Sequence, residues 1–463
     1  MGWGNVLTRL DPRFHQALIS YSKLTIVNGR PLKDVLLTMF SGGTPDTQNP
    51  SYWKGAIPWI SPKDFGEYEL DAATDNITEE AIKESSTRIA PANSVVLVVR
   101  SGVLVHTIPI GVAVTGLAIN QDVKAMICRS DILPHYLAAY FRVFQKYLLP
   151  VITKYGATVQ SINTAELKNL VIPVPSLERQ LKIVAVYKNA LLADKNKRME
   201  AVRLLSGIDD HLLAELGITL PPEPENTLAS RIFTAQRREL VGWRFDPLFH
   251  SFKLWHAIEK ATVPNKKLGL CCHTLKSGFA AGGDMQLFDD AGVIQLRPTN
   301  IDANREWTFE KNIYLSDALL ADRPDDIVQT GEVLFNNTNS QELVGKSVYM
   351  GIEGQPFFCS NHMTRIRTID TELNTEYLTA VLNAYQRLKV FFSLCTNWNN
   401  QSGVNVELLR QLPIPVPPMP VQLAIAHHIA ETRQEAKRLR QQAETELDQA
   451  KRQIETLLLG AQP

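Results

Sequence analysis

Clusters of short polar side chains are the residues of this sequence best suited to chemistry. The richest cluster lies in FNNTNSQELVGKS, at 335–347. Its amide and hydroxyl side chains are Asn336, Asn337, Thr338, Asn339 and Ser340. They offer hydrogen-bond donors and acceptors of a kind that suits the bases and phosphates of nucleic acid. A turn closed by its own side-chain hydrogen bonds would account for the composition equally well.

Other polar candidates follow short strand-like segments. IPWISPKDF and VIQLRPTNI each place polar side chains after an apolar run, and these are Ser61, Lys63, Arg297, Thr299 and Asn300. Arg and Lys suit guanine, and Asn and Gln suit adenine, in the major groove of DNA. Solvated loop ends would have the same composition, so both interpretations stay open.

Further candidates come from glycine-rich and polar loops, which either contact DNA or close the domain. SGGTPDTQNPSYWKG is a loop by composition, and TKYGATVQSIN and CTNWNNQSGVN precede proline-rich segments. LVVRSGVLVHT stands where the other half of the chain has its asparagine cluster. The remaining candidates for DNA contact are Ser41, Gly42, Gly43, Thr44, Lys54, Trp59, Arg100, Ser101, Lys154, Thr158, Gln160, Ser161, Lys276, Ser277, Asn399, Asn400, Gln401 and Ser402.

Three near-motifs point to other chemistry and fall short of it. NPSY, at 49–52, resembles the tetrapeptide with which adenine methyltransferases hold a flipped base, but no glycine-rich cofactor loop accompanies it. SQELVGKS ends like a phosphate-binding loop, yet Ser340 stands where that motif requires glycine. Cys271, Cys272 and His273 are adjacent, and no second pair at ligand spacing follows them. We therefore expect no catalytic residue, bound nucleotide or metal in this chain.

The elements that would position these residues are duplicated. IPVP at 172–175 recurs at 414–417, an offset of 242 residues (414 − 172), and Gln180 recurs at the same offset as Gln422. LDPRFHQAL likewise returns as FDPLFHSFK, and IPWISPKDF as VIQLRPTNI, at slightly smaller offsets. The matches keep structural residues, whereas the stretches between them differ. The pattern predicts one scaffold used twice to carry two different recognition surfaces.

Each repeat combines a mixed α/β region, an IPVP segment and a long amphipathic helix. Apolar residues recur mostly at steps of three, four or seven from Ile183 to Leu212 and from Ile429 to Leu457, which is typical of a coiled-coil seam. A helix packed on its own domain is the alternative. The predicted boundaries are 1–175 and 242–417 for two recognition domains, 176–217 and 418–463 for two helices, and 218–241 for a linker.

An antiparallel pair of such helices would serve as a ruler. Helices of this length extend about 55–60 Å, which exceeds the ~34–36 Å of one turn of duplex DNA. Two domains held at the ends of the pair could read two half-sites separated by unread bases.

Composition sets broad limits on the class of protein. The 463 residues are 44% hydrophobic and carry no net charge, which argues against a nucleic-acid binder that acts alone. No run of apolar residues is long enough for a membrane span, and the first residues lack an apolar signal core. The five cysteines show no disulfide spacing. We expect a cytoplasmic protein with reduced thiols and no membrane contact.

The combination of SGGTPDTQNPSYWKGAIPWISPKDF, LFNNTNSQELVGKS and two helices that follow IPVP segments resembles the specificity subunit of type I restriction–modification systems. The resemblance covers nearly the whole chain, including its duplication. It implies a mixed α/β fold with two target-recognition domains separated by two long antiparallel coiled-coil helices, in a pseudo-twofold duplicated arrangement.

The resemblance also implies a function without catalysis. The chain would read a bipartite, asymmetric site in double-stranded DNA and recruit two methyltransferase subunits and ATP-driven restriction subunits. S-adenosylmethionine, ATP and Mg²⁺ would be cofactors of those partners, with none in this chain. Partner subunits that neutralise most phosphates would explain the absence of net charge here.

Two other functions stay open at this point. A specificity subunit of a different restriction assembly, or of a methylation-only assembly, would have the same features, and neighbouring genes would distinguish it. An adenine-N6 DNA methyltransferase in its own right would need to bind a cofactor as a purified chain.

The IPVP segments are predicted to be joints and not base readers. Proline fixes φ and removes a backbone donor, so each segment should be an extended stretch that the helix cannot invade. Gln180 and Gln422 would fall in the first helical turns, where their amides can bond nearby backbone.

Overall fold

The computed structural model describes two compact units of the chain. The described residues are 12–22, 24, 26, 28–154, 159–222, 227–229, 232, 234, 257–258, 260–287, 291–398 and 401–459. The first unit comprises Met1–Met199 with Leu439–Pro463, and the second comprises Glu200–Arg438. Each unit therefore holds part of each long helix, a division that differs from the predicted boundaries, which placed the helices in segments of their own.

The first unit is a mixed α/β structure. Its helices are α1 (Pro12–Ser22), α2 (Leu32–Val35), α3 (Glu79–Lys83), α4 (Pro134–Ile152), α5 (Thr164–Asn169) and the first part of α6 (Leu177–Glu215). Its strands are β1 (Gly29–Pro31), β2 (Leu36–Ser41), β3 (Ile57–Ile60), β4 (Glu69–Leu70), β5 (Asp75–Ile77), β6 (Arg88–Ala90), β7 (Val95–Val98), β8 (Arg100–Ser101), β9 (Ile110–Ala113), β10 (Leu117–Ile119), β11 (Val123–Cys128), β12 (Thr153–Lys154), β13 (Gln160–Ile162) and β14 (Val171–Pro173).

Two sheets and one helix form the core of this unit. The sheets have the strand orders β2-β11-β7-β9-β4 and β5-β3-β10-β6. Strand β7 reads VVLV and is buried at every residue, as expected for a central strand covered on both faces. Helix α4 packs against the larger sheet through a run of buried aromatic residues, among them Tyr140, Phe141 and Phe144.

The second unit repeats this plan. Its remaining helices are α7 (Leu319–Asp322), α8 (Thr375–Arg387), α9 (Val390–Leu394), α10 (Val406–Arg410) and α11 (Met419–Leu459), of which α11 continues into the first unit. Its strands are β15 (Asn265–Lys267), β16 (Cys272–Ser277), β17 (Gln286–Leu287), β18 (Val293–Leu296), β19 (Tyr314–Leu315), β20 (Val333–Asn336), β21 (Thr338–Asn339), β22 (Ser347–Tyr349), β23 (Phe357–Cys359), β24 (Met363–Thr368), β25 (Thr396–Trp398), β26 (Gln401–Gly403) and β27 (Pro413–Pro415).

The sheets of the second unit share the central strand order of the first but differ in their edge strands and in one internal contact. They run β16-β24-β20-β22 and β17-β19-β18-β23. Arg365 on β24 and Glu332 before β20 form a buried bidentate ion pair with N–O distances of 2.8 Å. The corresponding strands of the first unit, β11 and β7, meet through apolar side chains. The duplicated mixed α/β fold predicted from the repeats is thus confirmed.

The long helices pair in an antiparallel manner. In the first unit Arg179, near the start of α6, donates to the carbonyl of Leu457, and Lys197 bonds Glu446 at 2.6 Å. In the second unit the rings of His211 and His428 lie 3.9 Å apart between centroids. Apolar residues at the predicted spacing are buried along both helices. Helix α6 has 39 residues, which corresponds to about 58 Å.

The IPVP segments are extended, as predicted. In the first unit the start of the segment belongs to β14, which pairs with β1. In the second unit it belongs to β27, which pairs with β15. A tyrosine hydroxyl fastens each one: Tyr136 donates to the carbonyl of Pro173 at 2.8 Å, and Tyr377 donates to that of Pro415 at 2.7 Å. Ile172, the first residue of the IPVP segment in the first unit, is fully buried. Each segment is therefore part of the body of its unit.

Gln180 fastens the start of α6 to the rest of the first unit. Its Oε1 accepts from the N–H of Leu133 at 2.9 Å, and its Nε2 donates to the carbonyls of Asp131 and Pro175 at 2.8 and 2.9 Å. Leu133 is the residue that precedes α4. One buried amide thus connects the IPVP segment, the long helix and the central helix of the unit.

Gln422 makes the same three hydrogen bonds in the second unit. Its Oε1 accepts from the N–H of Asn374 at 2.8 Å, and its Nε2 donates to the carbonyls of Glu372 and Pro417, both at 2.9 Å. Asn374 is the cap of α8. We call these two arrangements the glutamine joints.

Loss of a joint amide should loosen its unit locally. Gln180→Met and Gln422→Met keep most of the volume but leave buried backbone groups without partners, at about 1–3 kcal/mol for each group. We expect faster hydrogen exchange at the Leu133 amide in the first variant and at the Asn374 amide in the second. Gln434→Met, at an exposed position of α11, is the control. Unchanged exchange at both amides would show that the joints do not hold these segments.

Candidate nucleic-acid interface

Two polar segments of the first unit, separate in the sequence, meet in one small three-stranded sheet. Strand β13 lies between β12 and β8. Ser161 is opposite Arg100 on one side and Lys154 on the other, and Gln160 is opposite Ser101. We call this three-stranded sheet wing 1. The structure therefore brings together candidates from two different loops of the sequence.

The outward face of wing 1 is cationic. Residues directly opposite each other in antiparallel strands share a face, so Arg100, Ser161 and Lys154 lie together. Thr153 and Ile162 occupy the other face and are buried, so the face with Arg100 and Lys154 points away from the core. Both cations are exposed, and within the described residues neither forms an ion pair or side-chain hydrogen bond.

The second unit has an equivalent sheet of β21, β26 and β25, which we call wing 2. Gly403 lies opposite Thr338 and Thr396, and Gln401 lies opposite Trp398. A Cβ atom on Gly403 would lie only 2.6 Å from Cη2 of Trp398, so the indole lies across the glycine. Trp398 is nevertheless 47% exposed. The outward face of wing 2 is therefore neutral and partly aromatic.

Sequence reasoning did not single out Trp398, Thr396 or Asn397. All three belong to the CTNWNNQSGVN segment, whose amides drew attention instead. An aromatic residue between polar residues at a hairpin was the available signal, because tryptophan combines a large apolar ring with a polar N–H and is enriched at interfaces.

Two members of the asparagine cluster are buried, which corrects the expectation that they contact DNA. Asn336 is fully buried and its Nδ2 donates to the carbonyl of Leu343 at 3.0 Å. Asn337 donates to Oγ1 of Thr364 at 2.9 Å and to the carbonyl of Asn361 at 3.2 Å. Their amides hold the loop that follows β20. Thr338, Asn339 and Ser340 are at least partly exposed.

The glycine-rich segment of the first unit is also packed tightly. The backbone N–H of Gly42 donates to Asn120, and a Cβ there would lie 1.8 Å from the carbonyl oxygen of Ile119. Trp59 is buried and donates to the carbonyl of Gly43 at 3.1 Å. Gly42, Gly43 and Trp59 thus shape this segment, and the backbone N–H groups of the two glycines and the indole N–H are bonded within the unit.

The polar side chains next to this segment have partners within the unit. Ser61 is buried and bonds Asp64 at 2.9 Å, closing a short helical turn. Lys63 is exposed and forms a 2.8 Å ion pair with Asp75, and this hydrogen bond raises the pKa of the Lys63 amine. Among the candidates of this region, Lys54 is exposed. Ser61 therefore supports the turn, whereas Lys54 and Lys63 can reach a ligand.

Ser41 and Thr44 are half-buried and engaged. The Lys124 amine donates to Oγ of Ser41 at 3.2 Å, and burial, with the nearby charge of Lys168, lowers the pKa of that amine. Thr44 donates to Oε1 of Gln121 at 2.6 Å. Lys124 lies on β11 and was not among the predicted residues, because a lone lysine in a strand carries no distinguishing pattern.

The equivalent turn of the second unit has Asn300 as its support. Asn300 is buried, accepts from the N–H of Arg297 at 2.9 Å and donates to the carbonyl of Thr308 at 3.0 Å. Direct base contact by Asn300 does not fit this position. Arg297 is half-buried and donates to Oε1 of Gln295 at 3.3 Å, and Thr299 is exposed.

The remaining candidates are distributed between surface and interior. Lys276 forms a 2.7 Å ion pair with Asp326, and Ser277 lies 3.3 Å from Oγ1 of Thr364. Gln401 is exposed, whereas Ser402 is buried on the inner face of wing 2. The candidates that lie outside the described residues are Thr158, Asn399 and Asn400.

Metal ligation and membrane insertion find no support in the described residues. That part of the chain contains no group of three or more His, Cys, Asp and Glu side chains that could hold a metal ion. Cys271 is buried at the end of a helical turn, whereas His273 is exposed. Within the same residues, no helix has the length and apolar character that crossing a bilayer would require.

A known protein family matches both halves of this chain. The family model for the type I restriction modification DNA specificity domain matches residues 27–192 and 309–448, more than half of the chain. A type I restriction enzyme specificity subunit from Escherichia coli is 39% identical over 148 residues, which are 32% of this chain and 37% of that protein. Another from Methanocaldococcus jannaschii is 34% identical over 175 residues, 36% of this chain and 38% of that protein. Each match thus covers well under half of the relative's length.

The fold has a solved counterpart. It is a chain from a structure whose subject is the structural basis of complex assembly and conformational transition of the type I R-M system. That chain is 14% identical, the alignment covers 94% of this chain and 97% of that one, and the TM-score is 0.55. The resemblance predicted from the motifs is confirmed by the family match in both halves: this chain belongs to the type I restriction modification DNA specificity family.

Proposed function

We propose that this chain is the DNA sequence-recognition subunit of a type I restriction–modification system and has no catalytic activity of its own. The observation that carries the proposal is the pair of wings. Their strands pair in the same way, but their outward side chains differ in charge, size and hydrogen-bonding groups. One scaffold that presents two different surfaces is what reading an asymmetric, bipartite DNA site requires.

Wing 1 has the chemistry of a contact to guanine or phosphate. Arg100 and Lys154 stand two strands apart, which is about 10 Å at the usual strand spacing, with Ser161 between them. A guanidinium can bond O6 and N7 of guanine, and either cation can neutralise a phosphate. Wing 1 therefore contributes affinity that depends on salt.

Wing 2 has the chemistry of base discrimination without charge. The Gln401 amide can bond N6 and N7 of adenine, and the exposed indole of Trp398 offers an apolar surface to a thymine methyl group. Each good contact of this kind discriminates against the wrong base by about 1–3 kcal/mol. Wing 2 therefore contributes sequence preference more than salt-dependent affinity.

Partner subunits complete the proposed assembly. Two methyltransferase subunits would perform adenine methylation with S-adenosylmethionine, and restriction subunits would use ATP and Mg²⁺. The named relatives from Escherichia coli and Methanocaldococcus jannaschii are specificity subunits of type I restriction enzymes, which supports this division of roles. We assign the exposed candidate residues of each unit to the DNA-binding surface.

Charge removal from wing 1 should reduce affinity in a salt-dependent way. For Arg100→Gln with Lys154→Gln, measured with partner subunits present, the slope of log K against log salt should fall in magnitude by about 1.8, that is ~0.9 for each phosphate that is no longer neutralised. Exposed Lys33→Gln with Lys83→Gln is the charge-matched control. An unchanged slope in the wing variant would remove wing 1 from the DNA surface.

Changes in wing 2 should alter base preference instead. Gln401→Ala and Trp398→Ala should each reduce discrimination at positions of one half-site by about 1–3 kcal/mol, with the salt slope unchanged. Binding to a panel of single-base variants, including uracil in place of thymine, measures both effects. A uniform loss across the panel would mean that wing 2 supports the fold and does not read bases.

The buried asparagine should act through stability. Asn337→Ala removes the amide donor to Oγ1 of Thr364 and to the carbonyl of Asn361, so the free energy of unfolding of the second unit should fall by about 1–3 kcal/mol. Binding to all base variants should weaken together. Asn339→Ala, at a partly exposed neighbour, is the control for stability. A change of preference at a single base pair in Asn337→Ala would restore it as a base reader.

A further inference from the structure

The second unit contains a group of basic side chains that the wings do not use. Arg305 lies in the tight turn between Ile301 and Trp307, Arg387 ends α8, and Arg433 lies on α11. Arg433 is half-buried one turn from Ile429, on the face of α11 that packs into the core. We call these three residues the arginine cluster.

The hydrogen-bonding capacity of the cluster is only partly used. Arg387 bonds both carboxylate oxygens of Asp209. Arg305 donates through Nη2 to Gln386, but its Nε is buried and has no partner. Within the described part of the chain, Arg433 forms no hydrogen bond or ion pair. The guanidinium donors of Arg433 thus remain for a ligand.

Five cations, which are the three arginines with Lys346 and Lys437, lie near the three carboxylates Asp209, Asp302 and Glu306. Burial, followed by the charges of Arg387 and Arg433, lowers the pKa of Arg305 to about 10. Burial and Arg387 also lower the pKa of Arg433, although Glu306, Asp209 and Asp302 oppose the shift. A folded protein gains little from buried cations that exceed their counter-ions.

Two of the nearby carboxylates already have partners. Asp302 accepts from the N–H of Glu306 at 2.8 Å and from Nδ2 of Asn304 at 3.1 Å. Glu306 lies 3.8 Å from the Lys437 amine. The carboxylates therefore do not supply the missing hydrogen bonds of Arg305 and Arg433.

The first unit builds the same place without this cluster. The helix offset of 242 puts Leu191 where the second unit has Arg433 (433 − 242), and Leu191 packs against the apolar core. Gly66 stands at the place of Arg305, one residue before Glu67, which pairs with Lys195 as Glu306 pairs with Lys437. The fold therefore does not require Arg305 or Arg433.

We propose that the arginine cluster binds a phosphate of the DNA backbone beside the half-site read by wing 2. Planar guanidinium groups suit phosphate oxygens. The cluster adjoins the loop that follows β21 of wing 2, because Gln386 accepts from Arg305 and donates to the carbonyl of Glu342 in that loop. This inference rests on the proposed DNA-binding function.

Substitutions taken from the first unit test the proposal. In Arg433→Leu the free chain should melt at the same or a higher temperature, because a buried cation is replaced by an apolar side chain. Inorganic phosphate should raise the melting temperature of the unmodified chain above that in chloride at matched ionic strength, and this gain should disappear in Arg433→Leu and Arg305→Gly. Arg203→Leu, at an exposed arginine paired with Glu200, should retain it.

DNA binding is measured separately with partner subunits present. Arg433→Leu should weaken binding about tenfold and reduce the magnitude of the salt slope by about 0.9, equally for all base variants. A lower melting temperature for Arg433→Leu would identify a structural ion network and overturn the proposal. Unchanged DNA affinity would also overturn the proposal. That holds as well if Arg433→Leu weakens binding of a partner subunit while DNA affinity is unchanged. The effect of inorganic phosphate on the melting temperature is measured without DNA. Phosphate binding by the cluster can therefore be established even if the proposed DNA-recognition function is wrong.

Discussion

The buried glutamine at the start of each long helix is the interaction on which the rest of the arrangement depends. Gln180 and Gln422 each use both amide hydrogens and the carbonyl oxygen for three backbone groups, which lie in two separate segments of the unit. Glutamate would lose both donors and bury a charge, and leucine would leave three backbone groups unsatisfied. Only an amide of this length satisfies the donors and the acceptor together, which explains why the same residue recurs 242 positions later.

Other repeated contacts are weaker and act in support of the joints. Lys195 pairs with Glu67 at 3.2 Å, and Lys437 pairs with Glu306 at 3.8 Å, each fastening a long helix to its own unit. Exposed pairs of this kind contribute about 0–1 kcal/mol. The buried hydrogen bonds of the joints therefore dominate the attachment. Once each helix is fixed to its unit, the wings are free to differ, because neither wing takes part in the joint.

The sequence was sufficient to predict the parts of the fold that depend on local pattern. Periodic apolar residues predicted the helices that begin at Leu177 and Met419, and the prolines predicted the extended segments before them. The internal repeat predicted two similar units. Wing 1 and wing 2 required more, because their strands come from segments about 60 residues apart whose pairing depends on the whole domain. The sequence supplied their residues as separate loops.

Composition alone misassigned several candidate residues for a physical reason. An asparagine that caps a turn and an asparagine that contacts a base have the same side chain, and burial separates them. Asn300, Asn336 and Asn337 are buried and bonded within the unit, whereas Gln401 is exposed on a wing. Trp398 was not selected because the amides beside it were the side chains matched to bases. It is exposed here since Gly403 gives the ring a flat surface to lie on.

The central claim is that two wings of equal backbone design meet different halves of one DNA site. Site-specific photo-cross-linking tests it directly, with a benzophenone side chain placed at Lys154 or at Trp398 and partner subunits present. We expect cross-links from position 154 to one half-site and from position 398 to the other, with none from the exposed control position Gln434. Cross-links from both wing positions to the same half-site, or none above the control, would contradict it.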